Sequence, residues 1–372
     1  MTVEPFEVVL DPAAVADLRE RLARTRWPEA ETVDDWSQGI PLAYTQELCG
    51  FWADGYDFGF ADRINAFAQF RTTIDGVGIH FLHVRSPHEG ALPLILTHGW
   101  PGSVVELLKV IEPLTNPPEG ADAFHVVVPS LPGYGWSDKP TEPGWDVHRI
   151  ARAWDELMAV LGYDRYGAQG GDWGAMVTTS LGQQRPEHLV GIHVNMAVVG
   201  PDQSTFGDLT PVETKVLEDL ADHANNGMGY SSQQSTRPQT LGYGLADSPA
   251  GQCAWIAEKF WNWTDCDGHP ENALTKQEML DNISVYWFTN TAASSARLYW
   301  ESFKAMNSED VPLPSGISVF PREIVRPSRR WAERRFTDLR WFTELDKGGH
   351  FAAFEQPAAF VDEVRGFFQT VR

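Results

Sequence analysis

At 372 residues the chain exceeds what one hydrophobic core usually organises, so one large domain with an insertion, or two packed units, is expected. A formal net charge of −22 argues against nucleic acid or an anionic membrane as partner, because both repel a strongly acidic surface. Three scattered cysteines, Cys49, Cys253 and Cys266, argue against a disulfide framework and for a reduced, cytoplasmic setting, and neither a signal sequence nor a run of ~18 apolar residues that could span a membrane is visible.

Residues 1–72 read as a helical arm. Asp11 caps a helix over 12–24, with Leu18 and Leu22 on one face, and a second helix over 42–52 ends where Gly55-Tyr56-Asp57-Phe58-Gly59 breaks the period. From Phe70 the pattern changes to strands over 70–74, 78–84, 92–96 and 125–128, with helices over 104–111 and 147–161 as crossovers. Strands follow at 166–169 and 191–199, so residues 73–200 predict the first part of a mostly parallel sheet with helices on both faces. Residues 201–305 abandon that alternation; helical and rich in Trp, Tyr, Asn and Gln, they read as an inserted lid. Strands over 316–320 and 339–345 and an amphipathic helix over 357–368 return to the core in residues 306–372. Within 322–340, Arg326, Arg329, Arg330, Arg334 and Arg335 are read as a solvated helix face.

The stretch Gly170-Gly171-Asp172-Trp173-Gly174 follows a short buried strand and precedes the apolar run Ala175-Met176-Val177. By itself it is equally a plain turn, since Gly and Asp dominate turns. In this strand order it is the sharp elbow of an α/β-hydrolase fold, with aspartate where serine usually stands. An ionised carboxylate is suited to displacing a leaving group from saturated carbon and leaving an ester on the enzyme, so Asp172 is the expected nucleophile. Hydrolysis of that ester needs a base that titrates near neutrality, and His350, behind Gly348-Gly349 after the last strand, stands where the hydrolase order places it. The acid that orients this imidazole should follow the preceding strand, where Glu323 sits; Asp310 lies before that strand and Asp346 very near His350, while an exposed Glu323 paired with Arg322 or Arg326 is the bland alternative.

The strand that runs into Thr97-His98-Gly99-Trp100-Pro101-Gly102 is where this fold contributes one oxyanion donor, so the amides of Trp100 and Trp173 form the expected pair, with His98 holding the turn. Phenols in the lid could donate to an opening epoxide ring; Tyr230, Tyr243, Tyr286 and Tyr299 are all candidates, and Trp255, Trp261, Trp263, Trp287 and Trp300 pack the lid or face substrate.

Together these segments resemble the epoxide hydrolases of the microsomal and juvenile-hormone branch over almost the whole chain. The likeness rests on Arg21-Leu22-Ala23-Arg24-Thr25-Arg26-Trp27-Pro28 in the N-terminal extension, on Phe70-Arg71-Thr72 at its junction with the core, on His98-Gly99-Trp100-Pro101-Gly102, on Gly171-Asp172-Trp173-Gly174 and on Gly349-His350-Phe351-Ala352-Ala353-Phe354-Glu355. It selects Tyr230 and Tyr299 as the lid phenols and Glu323, in Pro321-Arg322-Glu323, as the acid. It implies an Asp-His-Glu enzyme that converts an apolar epoxide and water to a vicinal diol without metal or organic cofactor, in natural-product (polyketide or enediyne) biosynthesis or in detoxification. The membrane anchor of microsomal relatives is not seen, which implies a soluble, bacterial-type member; a homodimer is left open. Two rivals are a haloalkane dehalogenase, which uses the same aspartate attack but needs halide donors instead of phenols, and a non-catalytic ligand-binding protein on the same fold.

Overall fold

The period-2 apolar runs become the strands of one sheet in the computed structural model, which describes residues 2–372. The strands are β1 (Glu4–Phe6), β2 (Gln69–Ile74), β3 (Val77–Val84), β4 (Leu92–Thr97), β5 (Phe124–Pro129), β6 (Tyr166–Gly170), β7 (Leu189–Val194), β8 (Val311–Val319) and β9 (Phe336–Glu344), in the order β1-β2-β3-β5-β4-β6-β7-β8-β9. Pairings from β1 to β5 through β2 and β3 are antiparallel, and those from β5 to β9 are parallel. The chain runs from β4 outward to β5, then crosses back to β6 on the other side of β4. The C-terminal ends of β4 and β6 therefore flank the switch point at which open α/β sheets bind ligands.

Helix Val147–Val160 shows why the crossovers form: the Asp146 side chain caps Arg149 N at 2.9 Å, and Ile150, Ala151, Trp154, Leu157 and Met158 recur on the buried face. Helix Pro357–Phe368 buries Phe360, Val361, Val364, Phe367 and Phe368 in the same way.

Three elements differ from the sequence expectation. β7 stops at Val194, because β8 pairs with it only over Ile192–Val194 and the chain then leaves the sheet to bring Asn195 beside β6. β8 begins at Val311 and takes in Pro312 and Pro314, whose turn-like signal hides a strand that register shifts accommodate. The N-terminal arm is not wholly helical: β1 adds to β2, and a division after residue 72 falls inside β2.

The lid helices between β7 and β8 are braced by that arm. Trp36 stacks on Trp261 with ring centroids 4.7 Å apart, Trp52 Nε1 donates to Ser284 Oγ at 3.1 Å, and Arg63 spans Asp57 and Asp281 at 3.0 and 2.7 Å. Asp281 is buried and also accepts from Tyr56 at 2.9 Å, so removing the guanidinium strands a charge indoors. Arg63→Ala is expected to destabilise the protein by about 1–3 kcal/mol, the cost of an unsatisfied buried group at a half-open site, and to lower the urea midpoint without changing its slope.

Of the arginines expected on a solvated helix face, Arg329 lies on one, exposed and paired only with Glu333 one turn on, but the other four reach distant partners. Arg326 pairs with Asp219, Arg330 with Asp208 and Glu213, and Arg334 with Asp202, while Arg335 donates to the carbonyls of Val198 and Asn307. They tie the base of the lid to the core. The acidic partners lie a hundred residues upstream, so local charge counting could not find them.

Candidate active site

β6 ends at Gly170, and Asp172 turns the chain into helix Trp173–Gln184 with φ 50° and ψ −126°, a left-handed-side backbone that a non-glycine residue adopts only when its surroundings enforce it. Enforcement comes from close packing: a Cβ on Gly174 would run into the Thr97 carbonyl, and one on Gly170 into that of Gly174. β4 and the new helix thereby meet at van der Waals distance, and the turn throws the Asp172 side chain out at the sheet's C-terminal edge.

The turn after β4 meets it there. Trp100 N donates to Asp172 Oδ1 at 2.8 Å, whereas the Trp173 amide, the other expected donor, makes no hydrogen bond to the carboxylate. His98 is buried and holds this turn: Nδ1 donates to Gly99 O at 3.0 Å, Nε2 accepts from Leu131 N at 3.3 Å, and burial pulls its pKa down to about 4. It is a neutral strut.

From the far end of the sheet the loops after β8 and β9 deliver the remaining groups. His350 Nε2 stands 3.3 Å from Asp172 Oδ2, and Nδ1 donates to Glu323 Oε1 at 2.6 Å. Glu323 is buried, not the exposed partner of Arg322 or Arg326, and also accepts from Ile324 N at 2.7 Å; Asp310 and Asp346 lie exposed. Burial alone would lower the His350 pKa, but the Glu323 and Asp172 carboxylates outweigh it and hold the imidazole well above its ordinary value. It is therefore an imidazolium clamped between two anions.

The His350 loop is fixed by groups with no local sequence signal. His350 N donates to Trp263 O at 2.8 Å, Asp265 accepts from Gly348 N at 3.0 Å, and Glu355 accepts from Asp265 N at 2.8 Å and Phe351 N at 3.1 Å. Burial pushes the Glu355 carboxyl up to about 7 despite those bonds.

Of the four lid tyrosines, Tyr243 is exposed and Tyr286 is committed to Gly102 O at 2.7 Å. Tyr230 stacks on Trp100 at 5.2 Å, Tyr299 packs edge-on to Trp173 at 4.7 Å, and the two phenol rings are 5.9 Å apart. Burial, reinforced by the Asp172 charge, raises the pKa of Tyr230 well above the phenol range; burial, with Tyr230 and Asp172, does the same for Tyr299. Both stay protonated, and the Tyr299 hydroxyl is buried with no hydrogen-bond partner. Outside Tyr230, Trp263 and Glu323 opens a funnel of about 1020 Å³ whose walls include Lys215, Asp222, Lys259 and Arg322.

Residues 3–107 match the family model described as "Epoxide hydrolase N terminus" and residues 93–222 the one described as "alpha/beta hydrolase fold". Across its whole length the chain is 54% identical to a Stigmatella aurantiaca protein named "Putative epoxide hydrolase", covering 86% of it, and 98% of the chain is 32% identical to "Epoxide hydrolase 1" of Oryctolagus cuniculus, covering 88% of that protein. The chain belongs to the epoxide hydrolases. The juvenile hormone epoxide hydrolase of the silkworm Bombyx mori superposes on this epoxide hydrolase with a TM-score of 0.94 over 100% of this chain and 95% of that one, at 31% identity. As an epoxide hydrolase on the α/β-hydrolase fold it takes an epoxide and water as substrates. Among the described residues no helix is long and apolar enough to cross a membrane.

Proposed function

We propose that this epoxide hydrolase opens its substrate by attack of an Asp172 carboxylate oxygen on an epoxide carbon, while Tyr230 and Tyr299 donate to the ring oxygen. The carbon–oxygen bond of the ring breaks, the oxygen takes a phenol proton, and a hydroxyalkyl ester remains on Asp172. Esterification removes the anion beside His350, so its pKa falls and the imidazolium returns a proton to the phenolate. Neutral His350, oriented by Glu323, then deprotonates water, and the hydroxide adds to the Asp172 carboxyl carbon. Trp100 N–H, joined by Trp173 N–H as the tetrahedral centre forms, stabilises the oxyanion. Breaking the acyl–oxygen bond releases the vicinal diol, and Asp172 and imidazolium are restored.

The observation that carries this reading is the Asp172 carboxylate held between the Trp100 amide and the His350 ring, beneath a pair of phenols of which one hydroxyl is buried and unpartnered. Trp100, Trp173, Tyr230, Trp263 and Tyr299 crowd the reacting group, which supports an apolar epoxide. Three buried, unpaired cysteines support a cytoplasmic setting, and the helical run between β7 and β8 supports treating 201–305 as a lid, with 1–72, 73–200 and 306–372 as the arm and two parts of the core.

Tyr230→Phe and Tyr299→Phe are each expected to slow ester formation about 10-fold or more, and the double variant about 10²–10⁴-fold, as loss of general-acid assistance does. Rapid-quench measurement of the ester with styrene oxide checks it. Halide release from a haloalkane, with no diol from a panel of epoxides, would contradict the proposal.

A further inference from the structure

Beside the Asp172 carboxylate lies a small cavity that neither lid phenol lines. Its walls carry Glu106, Gln169, Asp172, Asn195 and His350, and about 20 Å³ of it is available to the centre of a water molecule. A single water needs ≳10–15 Å³ so measured and two to four polar partners, so the chamber is sized for one water and lacks neither room nor partners. Gln169 and Asn195 are already bonded to each other, Gln169 Nε2 donating to Asn195 Oδ1 at 2.7 Å. Glu106 is different: half-buried, it lines this cavity, and its carboxyl makes no hydrogen bond or ion pair with any described residue.

The backbone makes room for it. Glu106 sits on the short turn Val104–Leu107 just after the Trp100 loop, and a Cβ on Gly102 would collide with its Oε2. A carboxyl given space by a glycine, enclosed with the nucleophile and the base and left without a protein partner, is a costly arrangement unless something occupies the chamber with it.

We propose that Glu106 positions the hydrolytic water, accepting a hydrogen bond from one water proton while His350 Nε2 takes the other, so that the oxygen faces the carboxyl carbon of esterified Asp172. The assignment rests on the ester reading above and deepens its second half. Water then reacts from the cavity while the alkyl group still lies on the phenol side, and no separate entry past the substrate is needed. Burial pushes the Glu106 carboxyl up to about 8, with His350 opposing and Asp172 adding to the shift.

Stopped-flow and rapid-quench kinetics on Glu106→Gln and Glu106→Leu test this. Ester formation is expected to stay within about 3-fold of wild type, while ester hydrolysis slows about 10-fold in the glutamine variant, which keeps a carbonyl acceptor, and about 10²-fold or more in the leucine variant. kcat and KM should therefore fall together, with kcat/KM nearly unchanged and ester accumulating in the steady state. A merely structural role would instead depress ester formation and thermal stability. That result, or hydrolysis at the wild-type rate in both variants, overturns the assignment. His350→Gln run in parallel separates the two readings: ester trapped there with normal hydrolysis in both Glu106 variants removes Glu106 alone, whereas no ester in His350→Gln removes the Asp172 reading and this one with it.

Discussion

Asp172→Ala is expected to yield a folded protein whose diol formation has fallen by about 10⁴-fold or more, since the variant loses the group that forms the bond rather than one that assists it. Folding should survive because the elbow is shaped by Gly170, Gly174 and the packing of β4 against the helix, not by the carboxylate. The same proposal fixes an isotope result. In a single turnover of the wild type in heavy-oxygen water the label should enter the Asp172 carboxylate, because hydroxide adds to the acyl carbon and the diol leaves with the original aspartate oxygen. Label in the diol on the first turnover would mean direct attack of water on the epoxide, and the ester would have to be given up.

His350→Gln should separate the two halves of the reaction. Ester formation needs the Asp172 anion and the phenols and is expected to continue, whereas hydrolysis loses its base and should slow about 10³–10⁴-fold. Intact-protein mass spectrometry should then show the chain heavier by one epoxide. The flanking carboxylates also set the sign of the pH response. In the free enzyme His350 is held protonated above its ordinary value, and in the ester one of those carboxylates is neutral, so its pKa is lower there. kcat, which reports the bound states, should therefore fall on the acid side as the ester's imidazole is protonated. A raised histidine pKa also stabilises the fold fully below the unfolded value near 6.5, and that contribution is lost as pH rises through the folded pKa. His350→Gln should consequently flatten the alkaline decline in thermal stability.

Much of this molecule could be read from local signals. Helix Pro357–Phe368 and the strands of the core follow from periodicity and turn residues, and Asp172, His350 and Glu323 could be placed because each directly follows a strand in a fold whose order of functional groups is set by topology. Composition and spacing left four tyrosines equivalent; family likeness chose two, and the fold puts the other two at the surface and against a carbonyl. β8 was shortened by its prolines, because a strand that tolerates them does so through its partner's register, which lies on another segment.

The chain by itself thus determined the sheet, the elbow and the residues proposed to react, since these depend on periodicity and on residues adjacent to strand ends. Only the tertiary structure decided how the groups meet: the two carboxylates around His350, the arginines tying lid to core, the arm against the lid and the small cavity that Glu106 shares with Asp172 and His350. Each of these joins residues tens to hundreds of positions apart. Electrostatic coupling, burial and cavity volume are properties of three-dimensional neighbours, and no local pattern encodes which neighbours those will be.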